Sequence, residues 1–214
     1  MAQAVTGRSA AARRRRIARE VEGHAKAAIG PITADLSLFL LTRGQFSMLD
    51  MVRHVLDDVG PASVSIWTWA IADYEAEAMG GFLADGRITG ARLIVDRSAE
   101  QRNEAIIVEW RARFGTEAVR VCKNHAKIAR VWTADLRVLL RGSMNLNFNP
   151  RFEQADITVN GDDFDLVARV EDELPILRPM CANTDAEAAS RVSSLPGFGD
   201  AGVGAFAGVK AWRP

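Results

Sequence analysis

The sequence predicts a mixed α/β domain, in which helices flank a β-sheet that contains both parallel and antiparallel strands. Between residues 43 and 123, segments with helical apolar spacing alternate with short segments rich in β-branched and aromatic residues. Such alternation is typical of parallel strands. Over 127–174 a strand hairpin, a further strand and a helix follow. Since strands joined by a tight turn run antiparallel, the complete sheet is predicted to be mixed.

Each element has a local reason in the chain. The alanine-rich, basic segment 8–28 is predicted to be a helix that ends at Gly30 and Pro31. Apolar residues at helical spacing predict a second helix over 43–59. The later elements are predicted as strand 63–70, helix 73–83, strand 91–96, a helix capped by Ser98 and ending at Gly115, strand 118–123, strands 127–133 and 137–142, strand 155–160 and helix 161–174.

Composition limits the class of protein. The 214 residues are 48% hydrophobic and 25% charged, which is typical of a soluble globular chain. Lys plus Arg and Asp plus Glu both number 27, so net charge favours no class of partner. Cys122 and Cys181 offer no disulfide framework, which favours a reduced, cytoplasmic setting. No apolar run approaches the roughly 20 residues of a membrane span, so stable membrane insertion is not expected.

Changes in composition predict three parts. Residues 1–34 form a basic N-terminal helix or arm, which is either solvated or attracted to nucleic acid or phosphate. Residues 35–178 form the α/β domain. Residues 179–214 are rich in glycine and alanine and are predicted to be a flexible tail, or a strap that docks through its aromatic residues.

Four polar residues at the two ends of the predicted hairpin point to phosphate chemistry. His125 and Lys127 are two residues apart, as are Ser143 and Asn145, so each pair projects from one side of an extended chain. The hairpin returns the second pair to the sheet end that carries the first. Histidine supplies a nitrogen nucleophile and lysine a cation, while serine and asparagine supply neutral hydrogen-bond donors. The set is suited to binding and attacking a phosphate.

The segments NHAKIARVW (124–132) and LLRGSMNLNFNPRFEQADI (139–157) resemble the phospholipase D superfamily, whose signature is His-x-Lys, four residues, Asp, then Gly-Ser-x-Asn. The resemblance implies a phospholipase D-like fold and a His125 nucleophile that forms a phosphohistidine intermediate. It implies that Lys127 and Asn145 bind the phosphoryl oxygens, with help from Ser143. A downstream carboxylate then holds the second ring nitrogen of the histidine, and Glu153 occupies the matching place.

Two further residues near the motif are predicted to contact substrate. Arg151 follows Asn149 and Pro150 beside the predicted site and is a candidate for an additional phosphate contact, with a surface role as the alternative. Asn147, two residues after Asn145, is the other candidate. No cofactor and no metal are expected, because the residues around the motif include no cluster at metal-ligand spacing.

The chain departs from the family pattern at one position and carries the motif once. Trp132 stands where the family has aspartate, and Asp135 lies three residues further along, in the predicted turn. Family enzymes use two motifs, because one histidine attacks and the other protonates the leaving oxygen. Single-motif members dimerise, so we expect a homodimer in which the two His125 side chains face each other.

Three functions are compatible with these observations. The first is a phosphodiesterase, with nucleic acid as substrate because of the chain's size, the basic arm and the lack of a lipid-anchoring stretch. The second is a catalytically degenerate member that binds DNA or a protein partner, which the tryptophan at 132 favours. The third is a phospholipid headgroup hydrolase or transferase, which would need an apolar docking surface. A coincidental match in an unrelated α/β domain is the remaining alternative.

Overall fold

A computed structural model describes residues 17–21, 24–69, 73–98, 104–144, 146 and 150–176, with only the backbone described at 18–21 and 73–76. These residues form one eight-stranded sheet with the strand order β1-β2-β8-β7-β6-β3-β4-β5. The strands are β1 Ile17–Val21, β2 Ser37–Thr42, β3 Ala62–Thr68, β4 Ile88–Asp96, β5 Val119–Cys122, β6 Lys127–Trp132, β7 Arg137–Gly142 and β8 Glu153–Val159.

Five α-helices connect or flank these strands in the described part of the chain. They are α1 Ala25–Ile29, α2 Met48–Val59, α3 Asp73–Ala84, α4 Glu104–Phe114 and α5 Asp162–Glu173, and a 3₁₀ turn covers Thr116–Ala118. Helix α2 begins at 48 because Ser47 and Asp50 form a capping box. The Ser47 backbone N–H donates to Asp50 Oδ2 at 2.9 Å, and the Asp50 N–H donates to Ser47 Oγ at 3.3 Å.

The sheet combines a parallel part and an antiparallel part. β3, β4 and β5 are parallel neighbours, as βαβ crossovers require, whereas β6, β7 and β8 form an antiparallel meander. β8 also pairs antiparallel with β2, and β6 pairs antiparallel with β3. The predicted fold class, a mixed sheet flanked by helices, is therefore confirmed.

One face of the sheet, here called the apolar face, carries the core. Residues of alternating strand positions on this face are fully buried against helices, among them Leu40, Val64, Ile66, Ala129 and Leu140. Helices α2, α3 and α4 contribute to the same buried cluster, with Trp110 of α4 fully buried. Burial of this apolar surface is the main favourable term for folding.

The opposite face is more polar and holds α5 through a buried carboxylate. Glu171, 1% exposed, accepts hydrogen bonds from Ser65 Oγ at 2.5 Å, Trp67 Nε1 at 2.7 Å and Arg130 Nη1 at 2.7 Å. Arg137 and Arg141 pair with Asp165 and Asp163 of the same helix. These contacts supply the partners that buried charges need.

The structure confirms most of the predicted elements from residue 43 to residue 174, with boundaries shifted by a few residues. The helix predicted over 8–28 is wrong at 17–21, which form strand β1 beside β2. Hydrogen bonding to an open strand edge outweighs the local alanine-rich helix preference there. Residues 8–16 and the predicted tail, 179–214, lie outside the described residues, as do 99–103, so the Ser98 cap also stays a prediction. The boundaries of the three predicted parts stay predictions as well.

Candidate active site

The predicted motif residues that the structure describes lie at one edge of the sheet, here called the site edge. β2, β3, β4, β5 and β7 end there, and the antiparallel strands β6 and β8 begin there. Across this edge, Lys127 is paired with Gly142, and Gly142 with Ala155. Side chains from segments far apart in sequence thus meet at the carboxyl ends of parallel strands, where ligands of open α/β sheets commonly bind.

His125 is exposed on a short turn between β5 and β6 whose backbone is held on both sides. The Asn124 backbone N–H donates to Asp96 Oδ2 at 3.0 Å, and the Ala126 N–H donates to Asn124 Oδ1 at 2.8 Å. An asparagine that bonds the backbone two residues ahead forms a local turn that fixes the residue between them. Asn124 itself is buried, which anchors the turn to the sheet while His125 stays accessible.

Lys127, the first residue of β6, is buried and lies against His125. Its Nζ is 3.1 Å from His125 Nδ1, 3.3 Å from Nε2 and 2.7 Å from the His125 carbonyl oxygen. Burial lowers the pKa of Lys127 below its ordinary value, and the nearby Glu153 carboxylate acts in the opposite direction by favouring the ammonium form. The lysine therefore offers a partly desolvated cation directly beside the imidazole.

Ser143 and Glu153 form a second pair at the site edge. The Ser143 hydroxyl donates to Glu153 Oε2, and Ser143 Oγ accepts from the Gln154 N–H at 3.0 Å. The expected hydrogen bond between Glu153 and the His125 ring is not present among the described contacts. The order of the strands explains this. Glu153 is on β8, and β7 separates β8 from β6, so Ser143 at the end of β7 is the nearer hydrogen-bond donor for the carboxylate. Glu153 acts through its charge on Lys127 instead.

Gly142, the glycine of the Gly-Ser step, is needed because of the close approach of β8. A Cβ at this position would collide with the carbonyl oxygen of Gln154 and lie 3.1 Å from Ala155 Cα. With hydrogen as the side chain, β7 and β8 approach closely enough for the Ser143 N–H to donate to the Gln154 carbonyl at 3.1 Å. The glycine therefore sets the position of Ser143 relative to Glu153.

The structure leaves three of the predicted contacts open. Asn145 and Asn147 lie outside the described residues. Arg151 is exposed two residues before β8, so it lies at the site edge, and its role in substrate binding stays a prediction. Lys127 pairs with Gly142, and Ser143 directly follows that pair at the site edge.

Trp132, which replaces the family aspartate, is remote from the other motif residues. It ends β6 five positions after Lys127, and at about 3.3 Å per strand residue the two are about 16 Å apart. Its indole packs against Phe164 of α5 at 6.0 Å between ring centroids, with the Arg130 guanidinium 4.7 Å from its ring. Asp135 is in the turn beyond it and is exposed. Position 132 therefore lies at the end of β6 opposite to the site edge.

Sequence reasoning missed Asp96 and Asn124, which hold the His125 turn. The available signals were an asparagine directly before the motif histidine and an aspartate at the end of a predicted strand. Trp69, which sequence reasoning also missed, lies 39% exposed beside His125, with ring centroids 6.2 Å apart. His54 of α2 is buried away from this edge, with Nε2 2.7 Å from the Gly30 carbonyl oxygen.

The described residues contain neither a metal-binding cluster nor a membrane-spanning helix. No group of three or more His, Cys, Asp or Glu side chains in this part of the chain is arranged to hold a metal ion. Among the helices that the structure describes, none has the length and apolar character to cross a membrane.

Comparisons with known proteins include a distant structural likeness. A scan of protein-family models finds none that matches the chain, and a search of curated proteins finds no match. A crystal structure of polyphosphate kinase from Porphyromonas gingivalis aligns with a TM-score of 0.43 and 15% sequence identity. The alignment covers 77% of this chain and 33% of that one, so the chain spans about a third of its length. At this TM-score and identity, the likeness supports no statement about the function of this chain.

Proposed function

We propose that this protein is a phosphodiesterase of the phospholipase D type that acts on nucleic acid, without a metal, as a cytoplasmic homodimer. The observation that carries the proposal is the juxtaposition of an exposed imidazole with a buried ammonium group, His125 Nδ1 and Lys127 Nζ being 3.1 Å apart. Ser143 and Glu153 lie at the same edge. A nucleophile, a phosphate-binding cation and a hydrogen-bond donor are the groups that phosphoryl transfer to histidine requires.

The reaction follows from these groups in two steps. A neutral ring nitrogen of His125 attacks phosphorus, and the bond from phosphorus to the leaving oxygen breaks as the nitrogen–phosphorus bond forms. The Lys127 ammonium stabilises the charge on the phosphoryl oxygens. Water then attacks the phosphohistidine, its proton passes to a general base, and the nitrogen–phosphorus bond breaks to return free His125.

The leaving oxygen needs a proton, and a second histidine is the matching acid. Among the described residues, His24 and His54 do not supply it, because His54 is buried against Gly30 and His24 begins α1. His125 is exposed, so a two-fold axis beside the site edge would bring His125 of the partner subunit opposite it. One imidazole then acts as nucleophile and the other as general acid.

Cleavage of an oligonucleotide and of bis(p-nitrophenyl) phosphate in excess EDTA tests the proposal. We expect turnover by the wild type, loss of turnover in His125→Ala, and retention in His24→Ala, whose histidine is exposed and makes no side-chain cap contact. Quenching during turnover with alkaline denaturant should trap a phosphorylated chain, stable to base and labile to acid. Equal activity of His125→Ala and wild type would contradict the proposal.

Mixed dimers test the shared site independently. If each site needs His125 from both subunits, activity of wild type refolded with His125→Ala falls as the square of the wild-type fraction. If each subunit works alone, it falls in direct proportion. Light scattering on the same samples gives the oligomeric state, and a monomer that turns over would contradict the two-histidine mechanism.

A second candidate is a catalytically degenerate member that binds DNA or a protein partner, and the observation that favours it is Trp132 in place of aspartate. Under this function Lys127 binds phosphate and His125 makes no attack on it. The biological role and the affinity for an oligonucleotide then persist in His125→Ala. A third function, hydrolysis or transfer of a phospholipid headgroup, is distinguished from these two by measuring headgroup release from phosphatidylcholine vesicles in parallel with oligonucleotide cleavage.

A further inference from the structure

Two exposed aromatic side chains lie on either side of the His125–Lys127 pair. Trp69 is 39% exposed and Phe152 is 66% exposed. Among the exposed large hydrophobic residues in the described part of the chain, these two are the aromatic members, and both lie at the site edge. Solvent-exposed aromatic rings at one edge of a sheet indicate a surface that binds a planar group.

The strand order sets the spacing of the two rings. Trp69 directly follows β3, and Phe152 directly precedes β8, with β6 and β7 between them. Three strand intervals of about 4.8 Å separate β3 from β8 by about 14 Å. The Trp69 ring is tilted by 54° to the His125 ring, and the Arg43 guanidinium lies 5.7 Å from the centre of the Phe152 ring. The rings therefore flank the site instead of filling it.

Positively charged residues follow the same edge. Arg43 comes directly after β2, Arg97 after β4 and Lys123 after β5, while Arg151 precedes β8, and all four are exposed. Lys127 lies among them at the start of β6. Two carboxylates among the described residues of this edge face inward to neighbouring groups, since Asp96 accepts from the Asn124 backbone and Glu153 accepts from Ser143. The edge thus presents a line of cations that runs across the strands.

We propose that a single strand of nucleic acid lies along the site edge, across the strand ends, with bases stacked on Trp69 and Phe152 and the intervening phosphate at His125. The inference rests on the phosphodiesterase proposed above and specifies its substrate class. Cations that follow a backbone, together with aromatic rings that accept bases, are the means by which proteins hold unpaired strands. Bases in a duplex are stacked on each other and are not accessible to such rings. A lipid headgroup has no flat face to place on either ring.

Binding measured in the His125→Ala background tests this, because the strand is then not consumed. The probes are a fluorescent oligothymidylate, an oligomer of the same length made of abasic phosphodiester units, and a duplex. We expect Trp69→Ala and Phe152→Ala each to weaken oligothymidylate binding by about tenfold or more, since stacking contributes that much per base. Trp69→Phe should retain most of the affinity. Binding of the abasic oligomer should not change in any of these variants.

The matched control is Leu166→Ala, which removes an exposed hydrophobic side chain on α5, on the opposite face. If Trp69→Ala and Phe152→Ala bind oligothymidylate as Leu166→Ala does, the stacking inference is overturned. Binding of the duplex as tight as that of the single strand also overturns it. Failure of the proposed phosphodiesterase activity would give a different result. The wild type would bind the single strand, Trp69→Ala and Phe152→Ala would weaken that binding, and the strand would not be cleaved.

Discussion

Replacing Gly142 by alanine tests the close approach of β7 and β8 on which the site edge depends. The added Cβ would collide with the Gln154 carbonyl oxygen and lie 3.2 Å from Gln154 C and 3.1 Å from Ala155 Cα. These are backbone atoms of a central strand, paired with β2 on their other side, so no side-chain rotation relieves the contact. Overpacking of this kind costs about 1–3 kcal/mol, and we expect the upper end.

The same substitution at Gly81 provides a control with the opposite sign. Gly81 is an exposed residue inside α3, and a Cβ there meets no atom within 4 Å. Alanine in a helix interior is favoured over glycine by about 0.5–1 kcal/mol. Because 1 kcal/mol corresponds to about 2–4 °C in a chain of this size, Tm should fall by about 6–12 °C in Gly142→Ala and rise by about 1–4 °C in Gly81→Ala.

Thermal unfolding followed by circular dichroism, with urea unfolding as a second measurement, gives both changes. Gly142→Ala should also lose cleavage activity, because Ser143 and Glu153 move when β7 is pushed from β8, whereas Gly81→Ala should keep it. A Gly142→Ala variant as stable as Gly81→Ala would refute the β7–β8 packing described here. Destabilisation with full activity would show that the position of Ser143 does not matter for the reaction.

Two further predictions concern the other buried polar groups. Glu171→Ala should lower the free energy of unfolding by about 3–5 kcal/mol, because buried Arg130, buried Ser65 and partly buried Trp67 lose their acceptor. In urea unfolding, Glu173→Ala, two positions along the same helix and exposed, should change little, and equal effects of the two would contradict the prediction. Burial, with a smaller effect of Asp96, raises the pKa of the Cys122 thiol to about 11. In a Cys181→Ser background, Cys122 should therefore react with a thiol reagent about 100-fold more slowly in the native protein than in concentrated urea, near pH 8. Its native rate should rise about tenfold per pH unit up to that pKa, and comparable rates in the two states would show that the thiol is accessible.

Much of the antiparallel half of the sheet was predictable because its pairing is local. The strands β6 and β7 are separated by four residues, so their register follows from the turn, and the register brings His125 and Lys127 to the sheet end that carries Ser143. Apolar spacing and turn residues also predicted helices α2 and α3 and strands β3 to β5. Such patterns depend on neighbours within a few positions.

The elements that sequence reasoning missed depend on partners far along the chain. β1 was predicted as helix, and β2, the run SLFLLT, was not predicted at all. β2 is a strand beside β8, more than 100 residues away, and β1 adds to its other edge. No local preference selects such a pairing. It is decided by the total backbone hydrogen bonding and apolar burial that the completed sheet provides.

The sequence by itself determined the mixed α/β fold class and the hairpin, and it predicted the His-x-Lys and Gly-Ser residues to which the proposed function assigns the chemistry. Only the tertiary structure decided what each of these groups contacts. Because β7 lies between β6 and β8, Glu153 accepts a hydrogen bond from Ser143 and not from His125. The position of the end of β3 places Trp69 beside the His125 imidazole. The physical reason is that side-chain period and turn type are local properties, whereas the lateral order of strands is a property of the whole sheet.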